Sequence, residues 1–167
     1  MAMVWKVLWD DHRKVEGMFN RYSKGESSLV ANICEELELH ATIEEEIVYP
    51  AVAQLDERLA QESEEDHEDV KELIAEIQDL EPGDPMESKL MKKLERLVSI
   101  HVTREERDVF PILKTRLNDE SYEMGRQAFA LRQEMLGARD GGSSSKNILE
   151  PWPNSGWGKS KVVGGGW

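Results

Sequence analysis

The sequence predicts an all-α protein: an antiparallel up-down four-helix bundle followed by a short fifth helix and an irregular C-terminal tail. Three observations carry this. Apolar residues recur at spacings of three and four along four long segments. The chain is rich in Leu, Ala and Glu with interspersed Lys and Arg, which is helix composition. Pro and Gly cluster in two places, between Glu81 and Pro85 and beyond Gly137, so the long segments between are free to stay helical.

The first helix spans about Ala2 to Ser23, with Leu8, His12, Val15, Phe19 and Tyr22 on one stripe, and Gly25 ends it. Ser27 or Ser28 can cap the second helix, whose body is Ala31 to Leu55 and whose stripe is Ile33, Leu37, His40, Glu44, Ile47 and Ala51. Pro50 falls inside it and removes a backbone donor, which predicts a kink or bulge. The third helix runs from about Ala60 to Leu80 with His67, Val70, Ile74 and Ile77 inward, and Glu81-Pro82-Gly83-Asp84-Pro85 stops it. The fourth covers about Met86 to Leu117 with Leu90, Leu94, Leu97, His101 and Glu105 inward, and Pro111 should distort its end. Short connections make these four helices antiparallel neighbours. They form one domain, residues 1–118. A fifth helix follows over 119–140, and residues 141–167 form a Gly/Ser-rich tail with Trp152, Trp157 and Trp167.

The charge excludes some partners. With 34 Asp and Glu against 21 Lys and Arg, net −13, the chain lacks the basic face that nucleic acid or an anionic membrane requires. No run approaches the ~20 apolar residues of a membrane span. The N-terminus carries no signal-peptide pattern, and Cys34 is the only cysteine, which fits a cytoplasmic location. Cys34, beside the helix stripe, reads as packing.

The chain repeats itself. His40 to Pro50 reads H-A-T-I-E-E-E-I-V-Y-P, and His101 to Pro111 reads H-V-T-R-E-E-R-D-V-F-P. Asp11-His12 precedes the first copy and Asp66-His67 the second. Each half is a helix with one inward His followed by a helix with His-x-x-x-Glu, as two αα-hairpins about a pseudo-twofold axis would give. All four histidines of the chain belong to this repeat, one on the apolar stripe of each helix. A single such His is more often a hydrogen-bonded core residue; four together, two with Glu at i+4 on the same face, point to metal. Buried Glu44 and Glu105 are costly as bare charges, and cations between them would remove that cost. Imidazole with carboxylate suits iron, zinc or manganese, and the lack of thiolates argues against a structural zinc site. Two irons would use the whole set.

His12, His40/Glu44, His67 and His101/Glu105, with the flanks Glu45 to Pro50 and Glu106 to Pro111, resemble the hemerythrin family, more narrowly its bacterial HHE domains. The resemblance covers residues 1 to 117. It implies a cofactor of two iron ions in an oxo- or hydroxo-bridged centre. Glu44 and Glu105 would bridge the irons, His12 and His40 would ligate one, and His67 and His101 the other. Glu106 is the alternative to Glu105, because some hemerythrins place this carboxylate one residue later.

The pattern departs from an oxygen carrier's in lacking a fifth histidine: the positions one turn from His67 are Ser63 and Lys71. With roughly six positions per iron, two then stay open instead of one. Glu64, in an E-x-x-H pair with His67, and Tyr49, a phenol turned inward by the Pro50 distortion, are the candidates to fill the extra one. In an ideal helix Tyr49 points away, and a packed aromatic matching Phe110 is its alternative role. The open site implies O2, hydrogen peroxide or NO as small ligands, with catalase-like peroxide decomposition set against O2 or NO binding without turnover. No acid/base residue for catalysis is identifiable. Iron storage is disfavoured, since only Glu64/His67 offers the E-x-x-H pair that ferritin-like sites use twice. Oligomeric state is not legible in the sequence.

Overall fold

The computed structural model describes residues 2–141; of the segment read as a tail, 141–167, Gly141 is the last residue of a helix and the rest lies outside the described residues. The described residues are helical and contain no strand. In order, α1 is Val4–Ser23, α2 Val30–Ile43, α3 Tyr49–Ala53, α4 Glu57–Gln78, α5 Glu87–Thr115 and α6 Asn118–Gly141. A π-helical turn, Glu44–Val48, joins α2 to α3, so that these form the second long rod of the bundle. Neighbouring rods pack α1 on α2, α3 on α4, α4 on α5 and α5 back on α1. No described helix is long and apolar enough to cross a membrane.

The helix ends follow local chemistry. Gly25 adopts a left-handed conformation (φ 108°) just after α1, which an L side chain would resist. Ser27 and Ser28, the expected caps, lie instead in a short 3-10 turn, Ser27–Leu29, and α2 has no side-chain cap. Asp56 caps α4 by accepting the Leu59 N–H at 3.0 Å, so α4 begins three residues before the expected Ala60. Pro111 does not interrupt α5, which is helical on to Thr115.

Pro50 acts upstream. Having no N–H, it leaves the Glu46 carbonyl without its usual partner, and the turn before it widens. The Tyr49 N–H donates to the Glu44 carbonyl, an i→i+5 bond. The extra residue shifts the buried stripe by one position. Val48, Tyr49 and Val52 become buried, while the expected Ile47 and Ala51 are only partly so.

The core has two apolar clusters. One holds Val15, Phe19, Ile33, Leu37, Leu73, Ile74 and Leu94; the other holds Leu8, Ile43, Val48, Tyr49, Val109, Phe110 and Leu113. Met124 and Ala128 of α6 join the second, and α6 also packs on α1, α2 and α5. Buried Cys34 belongs to the first, and burial pushes its thiol up to about 12, so it packs as an apolar group.

At Gly125 α6 meets the start of α1. A Cβ there would lie 2.0 Å from the Ala2 carbonyl oxygen, a backbone atom that no side-chain rotation can clear. Gly125→Ala should therefore lower stability by about 1–3 kcal/mol, measured as an earlier midpoint in urea. An unchanged midpoint would mean that the N-terminal turn does not hold this approach.

Candidate metal centre

The two apolar clusters are separated along the bundle by a polar layer. It is made where the heptad-like stripe of each long rod carries a polar residue in place of an apolar one: His12 between Leu8 and Val15, His40 and Glu44 after Leu37, His67 before Val70, His101 and Glu105 before Val109. All six are buried, with Glu44 at 0% and Glu105 at 1% exposure.

Their ligand atoms converge in two groups that share one residue. His12, His40, Glu44 and Glu105 form one, and Glu44, His67 and His101 the other. The His12 and His40 Nε2 atoms lie 3.2 Å apart, and those of His67 and His101 3.3 Å. Glu44 spans the pair: its Oε1 is 3.1 Å from His40 Nε2, and its Oε2 is 3.0 Å from His67 Nε2 and 3.7 Å from His101 Nε2. Glu105 Oε2 lies 3.1 Å from His12 Nε2 and 3.9 Å from His101 Nε2.

Every imidazole is held from behind by a carboxylate at Nδ1. His12 meets Glu106 at 2.9 Å, His67 meets Glu45 at 2.8 Å, and His40 and His101 meet Asp11 and Asp66, each at 3.4 Å. Each carboxylate in turn meets a cation: Glu106 with Arg13 at 2.8 Å, Glu45 with Lys71 at 2.9 Å, Asp66 with Arg104 at 2.9 Å, and Asp11 with Arg132. With Nδ1–H donated outward, Nε2 of the neutral ring would present its lone pair to a cation at the centre. Glu106, the alternative bridge, is thereby turned outward onto His12.

The two copies of the repeat diverge at their aromatic. The π turn brings Tyr49 onto the face of Glu44, where its hydroxyl donates to Glu44 Oε2 at 3.0 Å and lies 3.1 Å from His67 Nε2 and 3.5 Å from Glu105 Oε1. In uninterrupted α5, Phe110 stays apolar lining and stacks on the His12 ring at 5.6 Å. Glu64 is exposed and outside both groups.

The electrostatics are those of a site short of positive charge at its centre. Burial opposes ionisation of Glu44, yet His40, His101 and His67 hold its carboxyl well below the ordinary range. Burial, then the charge of Glu44, raises Glu105. Burial works against protonated His101, but Asp66, Glu44 and Glu105 outweigh it and hold it up to about 10. His40 is likewise raised by Glu44 and Asp11 against its burial. Burial and the charges of Glu44 and Glu105 keep Tyr49 a neutral phenol. Glu44 Oε1 and Glu105 Oε2 are buried without a hydrogen bond, although imidazole nitrogens approach to 3.1 Å. Orphaned carboxylate oxygens facing paired imidazole nitrogens are a donor set that cations complete.

Residues 3–113 match the family described as the hemerythrin HHE cation-binding domain. The chain belongs to this family. A solved structure of an HHE cation-binding-domain protein from Mycobacterium kansasii superposes with a TM-score of 0.72, covering 83% of this chain and 90% of that one at 20% identity. That likeness is one of fold. A DNA nickase from Nostoc sp. strain PCC 7120 is 26% identical over 145 residues, which is 83% of this chain and 41% of that protein. This chain therefore spans less than half the length of that relative.

In this HHE domain a cavity of about 30 Å³ opens against the histidine side of the centre. Val15, Leu37, Ala41, Val70, Val98 and Val102 form its apolar wall, and the rings of His12, His40, His67 and His101 its floor. Sequence reasoning did not single out the outer carboxylates Asp11, Glu45 and Asp66. Their signal is nonetheless present: Asp-His and Glu-Glu recur in both copies of the repeat, and each of these pairs contains a candidate ligand.

Proposed function

We propose that this HHE domain holds two iron ions in the paired His/Glu groups and reacts there with O2 or hydrogen peroxide. The observation that carries the reading is the pairing itself. Two buried groups share Glu44 and face one small apolar cavity. In this reading His12 and His40 hold one iron, His67 and His101 the other, and Glu44 and Glu105 bridge them. Tyr49, whose hydroxyl touches both carboxylates, takes the position that a fifth histidine fills in oxygen carriers. The iron pair supplies reversible one- and two-electron redox chemistry.

The protein's own residues do the rest. The outer carboxylates hold the rings so that no reorientation accompanies a change of charge at the centre. The valine-lined cavity exceeds the ~10–15 Å³ that one water needs, so it admits a diatomic or peroxide while excluding larger reductants. Decomposition of two peroxides to two waters and O2 balances without another reactant. Binding of O2 or NO without turnover is the second reading, favoured because Asp11, the carboxylate among the described cavity-lining residues, is already engaged by His40 and Arg132. The nickase likeness does not change this, because a chain of net charge −13 offers no basic track for a phosphate backbone.

Purified full-length protein should carry about two irons, quantified by elemental analysis, and show ferric charge-transfer absorption. One zinc per chain in a colourless protein would overturn the reading. Release of O2 from added peroxide by the iron-loaded protein supports turnover; reversible O2 uptake with no response to peroxide supports the second reading.

A further inference from the structure

The outer shell of the centre is symmetric in its carboxylates but not in what closes them. Asp66 on α4 sits behind His101, and Arg104, three residues after His101 on α5, closes it at 2.9 Å. By the repeat, Asp11 on α1 sits behind His40, and the residue three after His40 is Ile43. Ile43 is fully buried in the second apolar cluster and offers no charge. The cation comes instead from outside the repeat. Arg132 of α6 reaches across and binds Asp11 Oδ2 through one guanidinium nitrogen, and Glu36 Oε2 at 3.2 Å through the other.

The geometry points to Arg132 as a positioning residue of the metal centre, fixing His40 through Asp11 as Arg104 fixes His101 through Asp66. This rests on the two-metal reading above. The physical need is clear. Asp11 is buried, and its Oδ2 lies between His40 Nδ1, at 3.4 Å, and the Arg132 guanidinium. Held in this place by Arg132, Asp11 keeps the His40 ring oriented with Nδ1 outward and Nε2 inward. Without Arg132 the same carboxylate would be a buried charge with only an imidazole against it. The fifth helix is thus part of the site. It supplies the one cation that the duplicated hairpins lack, and it makes the two halves unequal. The Asp11–Arg132 pair is 12% and 17% exposed, the Asp66–Arg104 pair 22% and 33%.

The test uses the full-length protein loaded anaerobically with ferrous iron and challenged with ferrozine, whose colour follows iron release. Arg132→Gln should release one of its two irons about tenfold faster than wild type, with the other unchanged. Arg104→Gln should do the same to the opposite iron, so that the double variant loses both quickly. Glu36→Gln, which cuts the other ion pair of Arg132, should release iron as wild type does, and Arg132→Lys should recover most of the retention. If Arg132→Gln does not fold, Asp11→Asn carries the test with the same single fast phase expected. Wild-type release from Arg132→Gln, or from Asp11→Asn in its place, overturns the inference. So does equal acceleration of both irons, or acceleration by Glu36→Gln, since either would mean that α6 only braces the bundle. A wild type that takes up fewer than two irons overturns the two-metal reading itself, whatever Arg132 does.

Discussion

Glu44→Ala is expected to strip both metal ions from the protein, whereas Glu105→Ala should lower the metal content less. Glu44 belongs to both ligand groups, its two oxygens lying on opposite sides of the centre, while Glu105 belongs to the His12/His40 group. Losing a ligand costs more than the ~10–100-fold in affinity that changing its outer partner costs, so Glu44→Ala should fall to near zero metal after dialysis. The metal-free variant should suffer as well. Glu44 stands fully buried against His40, His67 and His101, and removing one partner of a buried pair costs about 3–5 kcal/mol. Elemental analysis and urea unfolding of the two variants side by side check both statements. Retention of both metals by Glu44→Ala would mean that Glu44 does not bridge.

Tyr49→Phe should preserve the fold and change the centre. The ring is fully buried in the second apolar cluster, and phenylalanine fills the same space, as Phe110 does in the other copy. What disappears is the hydroxyl facing Glu44, His67 and Glu105. In the metal-free protein this removes the phenol donor from Glu44 Oε2, which keeps His67 Nε2 at 3.0 Å, a loss of about 1–3 kcal/mol. In the iron-loaded, oxidised protein the effect is optical. The charges of Glu44 and Glu105 and the burial keep the phenol protonated while no cation is near. Iron reverses that balance, because a bound cation is the largest local charge. A phenolate-to-iron band in the visible should therefore be present in wild type and absent in Tyr49→Phe. Identical visible spectra would show that Tyr49 is only a hydrogen-bond donor to the bridge. The variant also opens a second coordination position, and its rate with peroxide should differ from wild type by about tenfold or more if coordination there limits the reaction.

Both expectations depend on a detail of one helix. In an ideal α-helix Tyr49 lies well away from Glu44, and the periodicity of the second rod predicts Ile47 and Ala51 inward. The π turn at Glu44–Val48 moves Val48, Tyr49 and Val52 there instead. Pro50 signalled a bulge, but a proline alone does not say where the extra residue goes. Pro111, at the same offset in the second copy, leaves α5 helical throughout.

The sequence by itself determined the helical class, the duplicated hairpin, and the placing of four histidines and two glutamates on inward stripes, because these follow from local period and residue type. It also contained the outer carboxylates, written as Asp-His and Glu-Glu in both halves, although nothing in a single helix says what such residues face. Only the tertiary structure decided that Tyr49 enters the centre while Glu64 stays exposed, that Glu106 turns onto His12, and that Arg132 reaches Asp11 from a helix outside the repeat. These are contacts between residues up to 121 positions apart. They depend on helix register and on which rods become neighbours, and both are settled when the two apolar clusters close around the polar layer between them.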